Sequence, residues 1–219
     1  TQGPAGPIDA HARPSLDAPR ATVVLLVGNV LATLADVVVP LVVVRLAVKD
    51  QVASLAGLML VYNTLALLLL GGFHQTVTFF LPGRTREQRA AIAKKISITL
   101  VVLGGIGAVA LVALGRVGTG LIEATGWVSD GEATDLRPLM LLALFPLGDL
   151  PGRILPNLMV VEGRPRIAAG YRVFRSLGVS GATLVPLGLG ADVSSVAAAL
   201  SGFAFVQLGF VLVTLRRCY

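Results

Sequence analysis

The chain has 219 residues, with 18 Lys and Arg against 12 Asp and Glu and a net charge of +6. Only 14% of its residues are charged, 55% are hydrophobic, and the mean hydropathy is +0.83. A water-facing globule carries about 25% charged residues, so a soluble domain, a disordered chain, a disulfide-stapled secreted fold and a nucleic-acid binder are all excluded. The composition predicts an all-α integral membrane protein. Cys218, the single cysteine, has no internal partner for a disulfide.

Residues 1–20, TQGPAGPIDAHARPSLDAPR, hold four prolines and no apolar run, and are expected to form a disordered cytoplasmic tail. They lack the basic start and apolar centre of a signal peptide. A hydrocarbon core of about 30 Å takes roughly 20 helical residues to cross. Six segments meet that length: 21–46, 54–81, 92–114, 138–161, 167–189 and 193–215. Residues 216–219 then begin a cytoplasmic linker. The first and fourth segments are interrupted, by Asp36, Pro40 and Arg45 and by Pro146, Asp149, Pro151, Arg153 and Pro156. Such interruptions are tolerated where a helix faces protein or a wet cavity.

Lys and Arg collect on the cytoplasmic side of a membrane protein. With the N-terminus inside, 13 of them fall on that side, Arg172 and Arg175 included, against four (Arg45, Lys49, Arg116 and Arg137) on the other. Both termini are therefore expected in the cytoplasm of a multi-pass protein of the cell (inner) membrane. The short links after the first and fifth spans predict antiparallel neighbours. The longer stretch 115–137 offers Trp127 as an interfacial anchor. PGRTREQRAAIAKK is a basic amphipathic stretch that either lies on anionic lipid or starts the third span as a helix.

Ionisable groups within a bilayer cost several kcal/mol and default to functional candidates. Asp36, His74, Asp149 and Arg153 are those candidates. Asp149 and Arg153 are four residues apart, share a helix face and can neutralise one another; a substrate-facing role is the alternative. The prolines around them predict a kinked or locally opened fourth span. Asp36, between Asn29 and Pro40, reads as cavity lining rather than buried. His74, beside Gln75, reads first as a packing residue and second as a proton carrier. The third, fifth and sixth spans present no acid or base in their central apolar stretches.

An enzyme is not expected. Gly178-Val179-Ser180-Gly181 matches the GxSG of rhomboid proteases, but no histidine follows Ser180 to act as its base. These small residues read as helix packing. No metal-ligand cluster, nucleotide fingerprint or cofactor motif is present.

Three segments carry a family resemblance: GNVLATLADVVVPLVVVRLAVKD, GGFHQTVTFFLPGRTREQR and LLALFPLGDLPGRILPNLMVVEGRPRIAAGYRV. Together they resemble the N-terminal half of polysaccharide and lipid-linked oligosaccharide flippases, in the multidrug/oligosaccharidyl-lipid/polysaccharide export superfamily. The turn AVKDQVASLAG departs from the Gly-rich, aromatic turn usual there. The resemblance implies one six-helix lobe of a two-lobe transporter for polysaccharide biosynthesis, moving a lipid-linked saccharide by alternating access. Membrane lipids and a second six-helix lobe would be its partners, the chain being either a fragment or a half-size protein. Arg153 is the residue suited to a diphosphate, with Asp149 holding it. Two other readings stay open: a cation-coupled multidrug exporter with Asp36 as the coupling acid, and a non-transporting scaffold in polysaccharide assembly.

Overall fold

A computed structural model describes residues 18–125 and 136–218, with the side chains of 18, 74–75 and 118–125 outside the description. Residues 1–17 of the predicted tail, Trp127 and the acidic stretch around it lie outside the described residues, and 18–20, expected in the tail, are helical and open the first helix. Those described form helices joined by short turns, without strands. Helix α1 is Ala18–Leu46, α2 Lys49–Leu70, α3 Phe73–Phe80 and α4 Arg86–Thr125. A short helix α5, Arg137–Leu141, leads through a 3-10 turn, Leu142–Leu144, into α6, Phe145–Val161. Helix α7 is Pro165–Gly188 and α8 Val193–Cys218. Five stretches are long and apolar enough to cross a membrane: Pro19–Leu46, Lys49–Leu70, Arg86–Val117, Arg137–Val161 and Val193–Cys218.

Local chemistry sets the boundaries. The segment read as one span, 54–81, is two helices. Gly71 and Gly72 take the left-handed conformation (φ 40° and 88°), which glycine enters without Cβ strain, so α2 stops and α3 starts anew. The basic stretch before the third span opens α4. The Thr85 hydroxyl accepts from the Gln88 backbone N–H and the Gln88 side chain accepts from that of Thr85, a reciprocal cap. Helix α4 then runs for 40 residues, well past 92–114. Along 137–161 the irregularity is confined to the 3-10 turn just before Pro146; Pro151 and Pro156 lie inside continuous α-helix.

Helix α6 is the axis of the bundle, with α4, α7 and α8 packed around it. Helix α4 runs antiparallel to it, Gly104 on Leu147 and Gly115 on Met140. Helix α8 runs parallel, Ser201 bonding the Leu141 carbonyl and Cys218 lying on Met159. The approach of α8 is closest at Gly148, where any Cβ would overlap the Ala204 backbone. Phe174 meets Phe203 and Phe210 at centroid distances of 5.5 and 5.3 Å, joining α7 to α8. Gly178 lies against the Phe203 ring, whereas Ser180 bonds back to the Ser176 carbonyl and Gly181 faces open space.

The short link between α1 and α2 does not make them packing partners. Helix α1 lies along α7 instead, parallel to it, Gly28 on Ala169 and Ala32 on Ser176. Most of its apolar side chains, with those of Leu60, Leu67 and Leu68 on α2, are exposed. An apolar surface of that extent fits contact with lipid or another protein.

Candidate functional site: a polar cavity between α1, α2, α6 and α7

The four helices enclose a cavity of about 610 Å³. Each contributes one stripe. From α1 come Asn29, Ala32, Thr33 and Asp36, spaced i, i+3, i+4, i+7; from α2, Met59, Tyr62 and Asn63; from α7, Arg172, Arg175, Ser176 and Val179. That spacing is one face of an α-helix. Helix α6 adds Gly152, Arg153 and Pro156. Asn29, Asp36 and Asn63 are exposed, so the cavity opens to the outside of the bundle.

Behind its wall sits Asp149, fully buried at the midpoint of the 137–161 stretch. Arg153 Nε donates to its Oδ2 at 2.7 Å, and Arg175 Nε donates to Oδ1 at 2.8 Å, with Arg175 Nη2 in ion-pair contact with the same oxygen at 2.7 Å. The Tyr62 hydroxyl donates to Oδ2 as well. One carboxylate thus gathers donors from α2, α6 and α7. A buried charge survives in a low dielectric only when paired and hydrogen-bonded this fully. Arg153 also donates to Asn63 Oδ1 at 3.2 Å and stands 5.7 Å from the Tyr62 ring centroid.

A second set of contacts fastens α1 to α7. Arg172 donates to Asn29 Oδ1. Ser176 Oγ lies 2.8 Å from Asp36 Oδ1 and 3.0 Å from the Ala32 carbonyl, and its one proton serves one of them at a time. At the cavity's edge Tyr171 is fully buried with its hydroxyl against Gly152 and no hydrogen-bond partner among the described residues. Gln207 on α8 is equally buried, and neither polar atom of its amide has a partner among the described residues.

Asp36 and Arg153, two of the residues singled out in the sequence, line the cavity, and Asp149 stands directly behind it. The His74 side chain lies outside the described residues; its backbone is in the first turn of α3. One expectation is corrected. The fifth span was read as free of central charge, with Arg172 and Arg175 counted to the cytoplasmic flank. The structure turns both into the cavity, because α7 begins at Pro165 and carries Arg175 about 15 Å along its axis at 1.5 Å per residue. Tyr62, Asn63 and Ser176 were not singled out either. Their signal is the i, i+3, i+4 recurrence of polar residues, which apolar-run counting passes over.

Three guanidiniums against two carboxylates leave the lining and its backing with a surplus positive charge. Arg153 Nη1, Arg175 Nη1, and Arg172 Nε and Nη2 have no partner among the described residues. Such planar donor sets match carboxylate and phosphate oxygens. No family model, curated protein or solved structure matches this chain.

Proposed function

We propose that the chain is one six-helix lobe of a two-lobe membrane transporter that moves a lipid-linked saccharide precursor across the cell membrane. The observation that carries this reading is the arginine-rich cavity set between helices within an apolar bundle. A scaffold has no need of a polar cavity there, and charge inside a membrane protein marks substrate or ion pathways. Arginine surplus favours an anionic head group, such as a diphosphate, over the cationic substrates of a multidrug exporter.

Helix α7, fifth in chain order, supplies the crossing that brings the count to six in this reading. Its 24 residues span about 36 Å, enough for a hydrocarbon core. It runs parallel to α1, the direction an alternating path through six spans requires, and its arginines face protein. In this reading both termini and the stretch 82–95, which includes the start of α4, lie in the cytoplasm, with the Arg89–Glu162 ion pair (3.2 Å) fastening that end. Setting Arg172 and Arg175 aside still leaves 11 basic residues inside against four outside.

The full-length transporter in liposomes tests the function. Asp149→Asn combined with Arg153→Gln removes both charges with little change of shape; transport is expected to be lost with normal expression and insertion. Retained transport would remove this cavity from the substrate path. Residues 1–219 alone are expected not to transport, because alternating access takes two surfaces that rock against each other. For topology, a Cys218→Ser background carrying Asp50→Cys should react with an impermeant thiol reagent from outside, and one carrying Thr85→Cys should not.

A further inference from the structure

Asp149 differs from every other charged group at the cavity in being wholly buried, behind the arginines that it binds. Arg153 gives it only Nε, and Arg175 gives it Nε and Nη2. Among the described residues the Nη1 donors of both arginines have no partner, and both residues line the cavity. The carboxylate therefore grips the two guanidiniums from behind while part of each fork stays available in front. The Tyr62 hydroxyl supplies Oδ2 with a neutral donor, so this oxygen keeps a partner when Arg153 is drawn forward.

We propose that Asp149 is a built-in counter-anion, a positioning residue that holds Arg153 and Arg175 in the empty cavity and competes for them with an entering phosphate-class anion. The inference rests on the anion-lined reading of the site above and adds its regulation. An anion in front and Asp149 behind share the same two cations, and the two anions repel one another. Affinity is thereby held below what the arginines alone would give, which suits a site that must release its cargo. The same competition is mechanical. Asp149 joins α2, α6 and α7, so drawing Arg175 forward loosens α7 from α6.

The test is calorimetric titration of the full chain in nanodiscs with inorganic pyrophosphate and, separately, with farnesyl diphosphate. Preference for the prenyl compound identifies a lipid head group as the source of the anion, and equal binding identifies a free anion; either is consistent with competition by Asp149. Asp149→Asn should bind pyrophosphate on the order of tenfold tighter than the wild type, a typical coupling for groups within one network. Tyr62→Phe leaves Oδ2 to Arg153 alone, so it should bind about threefold more weakly. Opposite signs are the signature, since a merely structural Asp149 would weaken binding or leave it unchanged when replaced. Should Asp149→Asn fail to fold, Tyr62→Phe carries the test, and unchanged or tighter binding there overturns the inference. Binding that depends on Arg153 but does not tighten in Asp149→Asn overturns the counter-anion and leaves the proposed function standing. Absence of binding in the wild type and every variant overturns both.

Discussion

Helices α1 and α6 both contain proline and both carry an aspartate, yet they stand in opposite surroundings. Nearly three-quarters of the most apolar window in 137–161 is buried, against 6% in 19–46. Asp149 is enclosed by four donor atoms, whereas Asp36 stands exposed on the cavity rim beside one serine. The difference teaches that the hydropathy of these helices reports whether they are apolar enough to cross a membrane, not how far they are buried. Helix α6 is the less apolar of the two and the more enclosed, because its glycines and prolines admit close neighbours.

The largest expected effect comes from that close packing. Gly148→Val puts side-chain atoms into the α8 backbone at Ala204, and overpacking of this kind costs about 3 kcal/mol or more. It should abolish monodisperse protein in detergent. Gly28→Val on α1 meets Ala169 but should disturb only the α1–α7 contact and leave the α4–α6–α8 core folded. Gly57→Val, with nothing near its Cβ, should behave as wild type. Equal damage from Gly28 and Gly148 would end the contrast between the helices.

Charge gives the next effect. Asp149→Ala strands Arg153 and Arg175, whose side chains are 27% and 29% exposed. Removing one partner of a buried ion pair costs 3–5 kcal/mol, and the partial exposure reduces this to about 2–3 kcal/mol in thermal unfolding. Asp36→Ala at the exposed rim should cost less than about 1 kcal/mol. Reversal of that order would place the structural charge on α1.

Gln207 sharpens the comparison from the other side. Its buried, unpartnered amide packs within the apolar layer around α6, where such a group costs about 1–3 kcal/mol. Gln207→Met keeps the volume and should raise thermal stability. A lower melting temperature would show that the amide has a partner in the membrane-embedded protein.

The smallest effect lies at the start of α8. Asp192 accepts from the Ser195 hydroxyl at 2.6 Å and its backbone N–H at 3.0 Å, which holds the carboxyl below the usual carboxylate range. A lowered folded-state value stabilises the ionised form, so the contribution is present above the unfolded carboxylate range and is lost as pH falls through the folded value. Asp192→Ala should fray the first turn of α8 slightly near neutral pH, read by amide exchange. The difference from wild type should vanish on acidification below the carboxylate range.

Composition by itself pointed to long apolar helices: with too few charges to clothe a globule in water, helix satisfies the backbone within each apolar segment. Five of the expected spans recur as long apolar helices, and the Asp149–Arg153 pair was legible because four residues return to the same helix face. Only the tertiary structure decided that Gly71 and Gly72 split the second span, that α1 pairs with α7, and that Arg172 and Arg175 turn inward. Those outcomes depend on which faces meet, and a linear count cannot rotate a helix about its axis. Arg172 and Arg175 have the same chain positions whether they snorkel toward an interface or close on a buried aspartate. Asp149, on another helix, makes the difference.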